Sequence, residues 1–335
     1  MLFSLSITFA AFIWTAEVST QIELPKESQE TVFYANQIQD DLTETYVQAI
    51  NSAEKSIVLL IYGLTDNSII NALKKCIEKG VNITIICDGE ATPNAKQRLG
   101  NKAIVYPRYD QGLMHLKILV VDKKILFVGS SNLTNHSLKI HGNLVMGFFC
   151  PEAAMFVESR AKEIASGEGK IQLLHQNFLV GDQQLEFWFL PGNNQAINRI
   201  LNLIDGAKKS IRVAMYTFTR YDLAEALIRA QKRGVKVEVL IDKSSAKGAS
   251  KKIAHLLHRN NIPLNTNSDI GLAHHKFMYI DQKCLINGSA NWTKAAFTQN
   301  HDCFIVIDKL NKNQQQKMNK LWKIIVADSK KYTLK

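Results

Sequence analysis

Apolar residues recur along this chain in two alternating rhythms, and the same series of rhythms occurs twice. Tyr46, Ala49, Ile50 and Ala53 stand at i, i+3, i+4 and i+7, as do Ile197, Ile200, Leu201 and Ile204. That spacing places each set on one face of a helix. An unbroken apolar run follows each, Ile57 to Tyr62 and Ile211 to Tyr216, of a length that suits a buried strand. Helical spacing returns at Ile69, Leu73 and Cys76 and at Leu223, Leu227 and Ala230. Gly80 and Gly234 follow, where the end of a helix favours glycine. Strands are predicted at Val81 to Cys87 and Val235 to Ile241. Each series closes with a helix. One has Pro151 in its first turn, and the other carries Met318, Leu321, Trp322 and Ile325 on one face. Strands alternating with helices predict an α/β fold with a largely parallel sheet.

The repetition reaches individual residues. Ala53-Glu54-Lys55-Ser56-Ile57 returns 154 residues later as Ala207-Lys208-Lys209-Ser210-Ile211. Tyr62, Thr65, Gly80 and Asp88 pair with Tyr216, Thr219, Gly234 and Asp242 at the same offset. An insertion of five residues in the second copy then moves the offset to 159, where His115 meets His274. Two units related by a pseudo-two-fold axis are expected, at 32–167 and 186–329. Residues 168–185, with Gly169 and Gly181, read as the linker.

The amino terminus breaks the pattern. Met1 to Ala16 contains no charged side chain. It is shorter than the roughly 20 residues that span a bilayer. Residues 1–20 therefore read as a signal peptide or an anchor, and 21–31 as a polar tether. A secreted or membrane-associated protein is expected. Composition adds that 46% of the 335 residues are hydrophobic and 21% charged, which excludes a disordered or collagen-like chain. The net charge of +11 suits an anionic partner such as a phospholipid surface or a nucleic acid. The five cysteines form no CxxC pair, so buried thiols are expected and no zinc site.

Both copies contain the pattern His-x-Lys-x4-Asp-x6-Gly-Ser-x-Asn. Copy one has His115, Lys117, Asp122, Gly129, Ser130 and Asn132; copy two has His274, Lys276, Asp281, Gly288, Ser289 and Asn291. Residues two apart on a strand share a face, so each His and Lys point the same way and His275 points the other. Gly-Ser makes a tight turn that an anion can approach, with Ser130, Asn132, Ser289 and Asn291 as candidate phosphate contacts. Asp122 and Asp281 fall at turns and read as structural. Two such sets facing each other suit a phosphodiester. Lysines and asparagines hold non-bridging oxygens, one imidazole attacks phosphorus, and the other protonates the leaving oxygen. No cofactor is called for, and no acidic cluster of the kind that holds Mg²⁺ or Ca²⁺ is evident.

On these residues the chain resembles the phospholipase D superfamily, whose mark is this doubled HKD motif. The resemblance runs from about residue 32 to 329. It implies two tandem α/β sandwich domains with one site between them, and ping-pong catalysis through a phosphohistidine. It also implies a downstream carboxylate that accepts a hydrogen bond from a catalytic imidazole. Copy two offers Asp302, 28 residues after His274; the same offset from His115 lands on Asn143. A carboxylate makes the ring more basic, whereas an amide only orients it. On that physics His274 is the nucleophile and His115 the acid. The resemblance implies the opposite order, because two-motif members often use the amino-terminal histidine.

The expected activity is metal-independent hydrolysis of phospholipid head groups to phosphatidic acid, by a monomer that holds a complete site. The compact copies also resemble a bacterial endonuclease branch and a mitochondrial cardiolipin hydrolase branch. Nuclease activity is thus the alternative, and non-catalytic phosphate binding a further one. Specificity is expected in two basic loops. One holds Lys96, Arg98, Lys102 and Arg108; the other holds Lys243, Lys247, Lys251, Lys252 and Arg259.

Overall fold

The computed structural model describes residues 22–109, 111–167, 174–268 and 271–334. The leader expected over 1–20, the first tether residue and residues 168–173 of the linker lie outside the described residues.

Half one contains strands β1 (Val32–Tyr34), β2 (Ser56–Ile61), β3 (Asn82–Asp88), β4 (Ile104–Arg108), β5 (Lys117–Val121), β6 (Ile125–Gly129) and β7 (Val145–Phe149). Its helices are α1 (Leu42–Asn51), α2 (Asn67–Glu78), α3 (Ala95–Leu99), α4 (Asn135–Lys139) and α5 (Pro151–Ser166). Half two contains β8 (His175–Val180), β9 (Gln183–Leu190), β10 (Ser210–Met215), β11 (Lys236–Ile241), β12 (Leu264–Asn267), β13 (Lys276–Ile280), β14 (Cys284–Gly288), β15 (Asp302–Ile307) and β16 (Ser329–Lys331). Its helices are α6 (Asn194–Gly206), α7 (Tyr221–Lys232), α8 (Lys243–Lys247), α9 (Lys251–Arg259), α10 (Lys294–Thr298) and α11 (Lys312–Ala327).

Each half is built on one sheet. The first runs β1-β7-β6-β5-β2-β3-β4, and the second β16-β12-β11-β10-β13-β14-β15-β9-β8. Read from β9 to β12, the second repeats the order of the first, with β8 and β16 added at its edges. The expectation of a largely parallel sheet is corrected. Only β2-β3-β4 and β10-β11-β12 are parallel; the remaining pairs are antiparallel. The reason is connection length. A parallel pair needs a crossover of a dozen residues or more, and the Asp122–Lys124 and Asp281–Lys283 turns allow only hairpins. The stretch read as linker also carries β8, which pairs with β9 as an edge hairpin.

Packing explains why the strands read as unbroken apolar runs. The outer face of sheet one is covered by α1 and α2, and that of sheet two by α6, α7 and α9. The inner faces form one shared core with α5 and α11 between them. It joins Leu60, Ile118 and Phe148 to Phe187, Phe277 and Ile305. Sheets covered on both faces need apolar residues on both. Because the halves share this core, the loops at the ends of their strands are held in fixed register across the boundary.

Candidate active site

The two motifs meet at that boundary. His115 and His274 stand two residues ahead of Lys117 and Lys276, which open β5 and β13. All four side chains are buried, with Lys117 only 1% exposed. Main-chain bonds stitch the preceding loops across the halves. The His115 N–H donates to the His301 carbonyl at 2.9 Å, and the Gly142 N–H to the Leu272 carbonyl at 2.8 Å. Glycine permits this approach at equivalent places. A Cβ on Gly112 would lie 2.0 Å from the Gln299 carbonyl oxygen, and one on Gly271 2.6 Å from that of Ile140.

The orienting groups cross the boundary too, which corrects the pairing expected from sequence. His115 Nδ1 bonds Asp302 Oδ1 at 2.8 Å, between residues 187 positions apart. His274 Nδ1 lies 3.1 Å from Asn143 Oδ1. Counting within one copy fails because Asp302 starts β15 next to the His301 carbonyl, which already holds the His115 main chain. Asn143 is therefore the orienting residue for His274, not His115. The electrostatic argument for the nucleophile reverses with it. The carboxylate accepts the Nδ1 proton of His115, leaves the lone pair on Nε2 and makes that ring the more basic of the two.

Ser130 and Ser289 do not reach for phosphate, contrary to expectation. Both are fully buried. Their hydroxyls donate to Asn143 Oδ1 at 2.8 Å and Asp302 Oδ1 at 2.7 Å. The Asn143 amide donates to the carbonyls of Ser137 at 2.8 Å and His141 at 3.2 Å. Those two acceptors decide that the oxygen of Asn143, not its nitrogen, faces His274. Asn291 accepts the Thr217 N–H at 3.2 Å and keeps its NH₂ as a donor. Asn132 lies at the matching place after Ser130, half-buried. Gly129 and Gly288 end β6 and β14 against the Leu144 and Cys303 carbonyls. Asp122 and Asp281 stand at the far ends of their strands. Asp122 accepts the N–H groups of Glu54, Lys55 and Ser56, and Asp281 those of Lys208, Lys209 and Ser210.

Four cationic or basic groups share this enclosed space. Burial pushes the Lys117 ammonium down to about 7, with the Asp302 carboxylate opposing. Burial and then Lys117 hold Lys276 well below the usual lysine range. His115 is lowered by burial and Lys117 against the pull of Asp302. His274 is lowered further, by burial and by Lys276, Lys117 and His115 together. The arrangement favours a bound anion, which would raise all four. Among the described residues no cluster of acidic, histidine or cysteine side chains suits a metal ion.

Sequence reasoning missed several supports. Tyr62 lies with its ring 5.3 Å from that of His115 and 5.1 Å beneath Lys117 Nζ; Tyr216 repeats this at 5.1 and 5.0 Å with His274 and Lys276. Asp88 and Asp242 accept the Met114 and Ala273 N–H groups just before each histidine. All four had already paired in the duplication, and that was the available signal. His141 stands 6.2 Å from the His274 ring. His275 is buried away from the site with Nε2 2.6 Å from Gln37 Oε1.

Two histidines, two lysines and a crossed Asp–Asn pair between duplicated halves form a site of the phospholipase D superfamily type. A family model described as "Cardiolipin synthase, PLD-like domain" matches residues 46–165 and 200–322. The chain belongs to that family. Phospholipase D of Rickettsia conorii is 40% identical over 109 residues, which cover 32% of this chain and 54% of that protein. Mitochondrial cardiolipin hydrolase of Xenopus laevis is 30% identical over 135 residues, covering 40% and 64%. The chain thus spans about half to two-thirds of the curated relatives it matches. Phosphatidylserine synthase of Haemophilus influenzae shares the fold, with a TM-score of 0.67 at 13% identity over 92% of this chain and 89% of that one.

Proposed function

We propose that the protein hydrolyses phospholipids to phosphatidic acid and a free head-group alcohol, with His115 as nucleophile and His274 as acid and base. The observation that carries the reading is a one-sided apolar flank. Tyr109 and Leu113 are large, exposed and lie in the stretch that leads to His115. Their counterparts in the stretch that leads to His274 are Ser268 and the partly buried Leu272. A site flanked by apolar surface on one side suits a substrate that is apolar on one side of its phosphorus. A nucleic-acid strand presents the same charged backbone on both sides.

In the first step the His115 Nε2 lone pair attacks phosphorus. The bond to the head-group oxygen breaks, and the Nε2 proton of His274 passes to that oxygen. Lys117 and Lys276 offset the charge on the non-bridging oxygens. In the second step water attacks, neutral His274 takes its proton, and the P–N bond to His115 breaks. We assign the apolar leader Met1–Ala16 the task of bringing the enzyme to a membrane. No helix among the described residues is long and apolar enough to cross one.

The test is turnover with EDTA present, on phosphatidylcholine and cardiolipin vesicles in one arm and on single- and double-stranded DNA and RNA in the other. Phosphatidic acid release that disappears in His115→Asn and His274→Asn is the expected result. Cleavage of nucleic acid without lipid turnover would make the protein a nuclease.

A further inference from the structure

We propose that Arg160, a buried arginine of α5, is a positioning residue for the nucleophile: through the His301 ring it fixes the start of β15, so that the Asp302 carboxylate meets His115 Nδ1. This inference rests on His115 attacking phosphorus. It holds for any phosphodiester, whichever substrate class the site takes.

Helices α5 and α11 fill equivalent places between the sheets. Val157, Arg160, Ala161 and Ile164 of α5 share a burial pattern with Met318, Leu321, Trp322 and Ile325 of α11. Arg160 therefore stands where half two has a leucine, and it is only 3% exposed. Its carboxylate partner is the partly exposed Glu163, at 3.0 Å. Its Nε has no hydrogen-bond partner among the described residues. A buried cation held this loosely costs stability that a leucine would not. Such a local conflict is expected where function requires it.

The other end of the guanidinium shows what it gains. Arg160 Nη2 lies 3.4 Å from His301 Nδ1. A guanidinium only donates, so this ring nitrogen is the acceptor. His301 directly precedes Asp302, and the residue that directly precedes Asn143 is Gly142. The two positions thus differ as a pair. Arginine and histidine stand on the nucleophile's side, leucine and glycine on the acid's side.

The stretch before β15 needs this tie. Its main-chain bonds run to another loop. The His301 N–H donates to the Leu113 carbonyl at 2.9 Å, and the Leu113 N–H to Asn300 Oδ1 at 3.1 Å. The His115 N–H completes the bridge on the His301 carbonyl. Two loops that hold only each other can shift together. Helix α5 is 16 residues long, and Phe156, Val157, Ala161 and Ile164 set it in the shared core. Arg160 therefore ties the bridge to a rigid element. On the acid's side the tie is Asn36. Its amide donates to the His141 carbonyl at 2.7 Å, and its oxygen accepts the Asn143 N–H at 3.4 Å. Each orienting residue has its own anchor, charged for Asp302 and neutral for Asn143.

The test uses bis(p-nitrophenyl) phosphate, a diester with neither acyl chain nor base, whose nitrophenolate leaves without an acid. Release of the first nitrophenolate reads attack by His115, and its amplitude counts folded sites. Arg160→Leu installs the residue that the fold carries at the equivalent place. The rate of first release should fall about 10- to 100-fold, as misplacement of a reacting group by a fraction of an ångström to one ångström provides. The acid limb of its pH profile should move to lower pH, because a carboxylate out of register no longer raises His115. His301→Leu, at a half-buried place, is an independent second variant with the same expected effects. Arg160→Leu/His301→Leu should be no slower than either single variant. A smaller amplitude with unchanged rate and acid limb would make Arg160 merely structural and overturn the proposal, as would additive losses in the double variant. A parent protein that leaves the diester uncleaved would overturn the phosphodiesterase reading, and the positioning role with it.

Discussion

The two halves share a strand order and a motif, yet each supplies the other with what it lacks. Half two lends its carboxylate, Asp302, to His115 of half one; half one lends an amide, Asn143, to His274 of half two. Duplication made two equal imidazoles, and one pair of exchanged neighbours made them unequal. The stretches that lead to the two histidines also differ, with Tyr109 and Leu113 exposed before His115 and Ser268 and the partly buried Leu272 at the equivalent places before His274. Asymmetry in a pseudo-symmetric site thus lies around the reacting groups rather than in them.

The sharpest way to break this comparison is to remove one histidine at a time. His115→Asn should lower turnover by on the order of 10⁴-fold or more, since it removes the proposed nucleophile. In His274→Asn, attack is still possible while breakdown is slow. A phosphoenzyme trapped in that protein should carry its label on the peptide containing His115. Label on any other histidine would refute the assignment.

Exchanging the orienting groups probes the inequality directly. Asp302→Asn should cost about 10²–10⁴-fold in kcat, as loss of the carboxylate leaves His115 less basic and its tautomer unfixed. The double change Asp302→Asn/Asn143→Asp moves the carboxylate beside His274. If the carboxylate decides the roles, trapped label should shift to His274; label that stays on His115 would show that the flanks decide instead.

Anion binding measures the crowding of cations. Lys117 titrates near 7 in the empty site, and an anion favours its protonated form. Binding therefore takes up a proton, and affinity should fall as pH rises above 7, by up to about tenfold per unit for one proton. Calorimetric titration with tungstate from pH 6 to 9 reads this. A flat profile would mean that the lysine is already fully charged without a ligand.

The smallest effect concerns the seam. Gly271 has a φ of +71° and no room for a Cβ against Ile140. Gly271→Ala should lower unfolding stability by about 1–3 kcal/mol, seen as a lower Tm. An unchanged Tm would show that the boundary loops can give way.

The chain's own order of residues determined a good deal. Apolar periodicity located the principal helices and strands, because helix and strand faces must be apolar at fixed intervals to reach a core. The repeated motif located His115, Lys117, His274 and Lys276, because residues two apart on a strand share a face whatever surrounds them. Only the tertiary structure decided which orienting group serves which histidine. Asp302 and Asn143 sit at the start of β15 and just before β7, where the nearest ring belongs to the other half. The same holds for the flanks. Both loops look basic in sequence, but the Tyr109 ring covers Gly89 in one, while an insertion builds α8 with Lys243 and Lys247 in the other. Short-range spacing is written along the chain, while pairing across a shared core depends on how two folded halves dock.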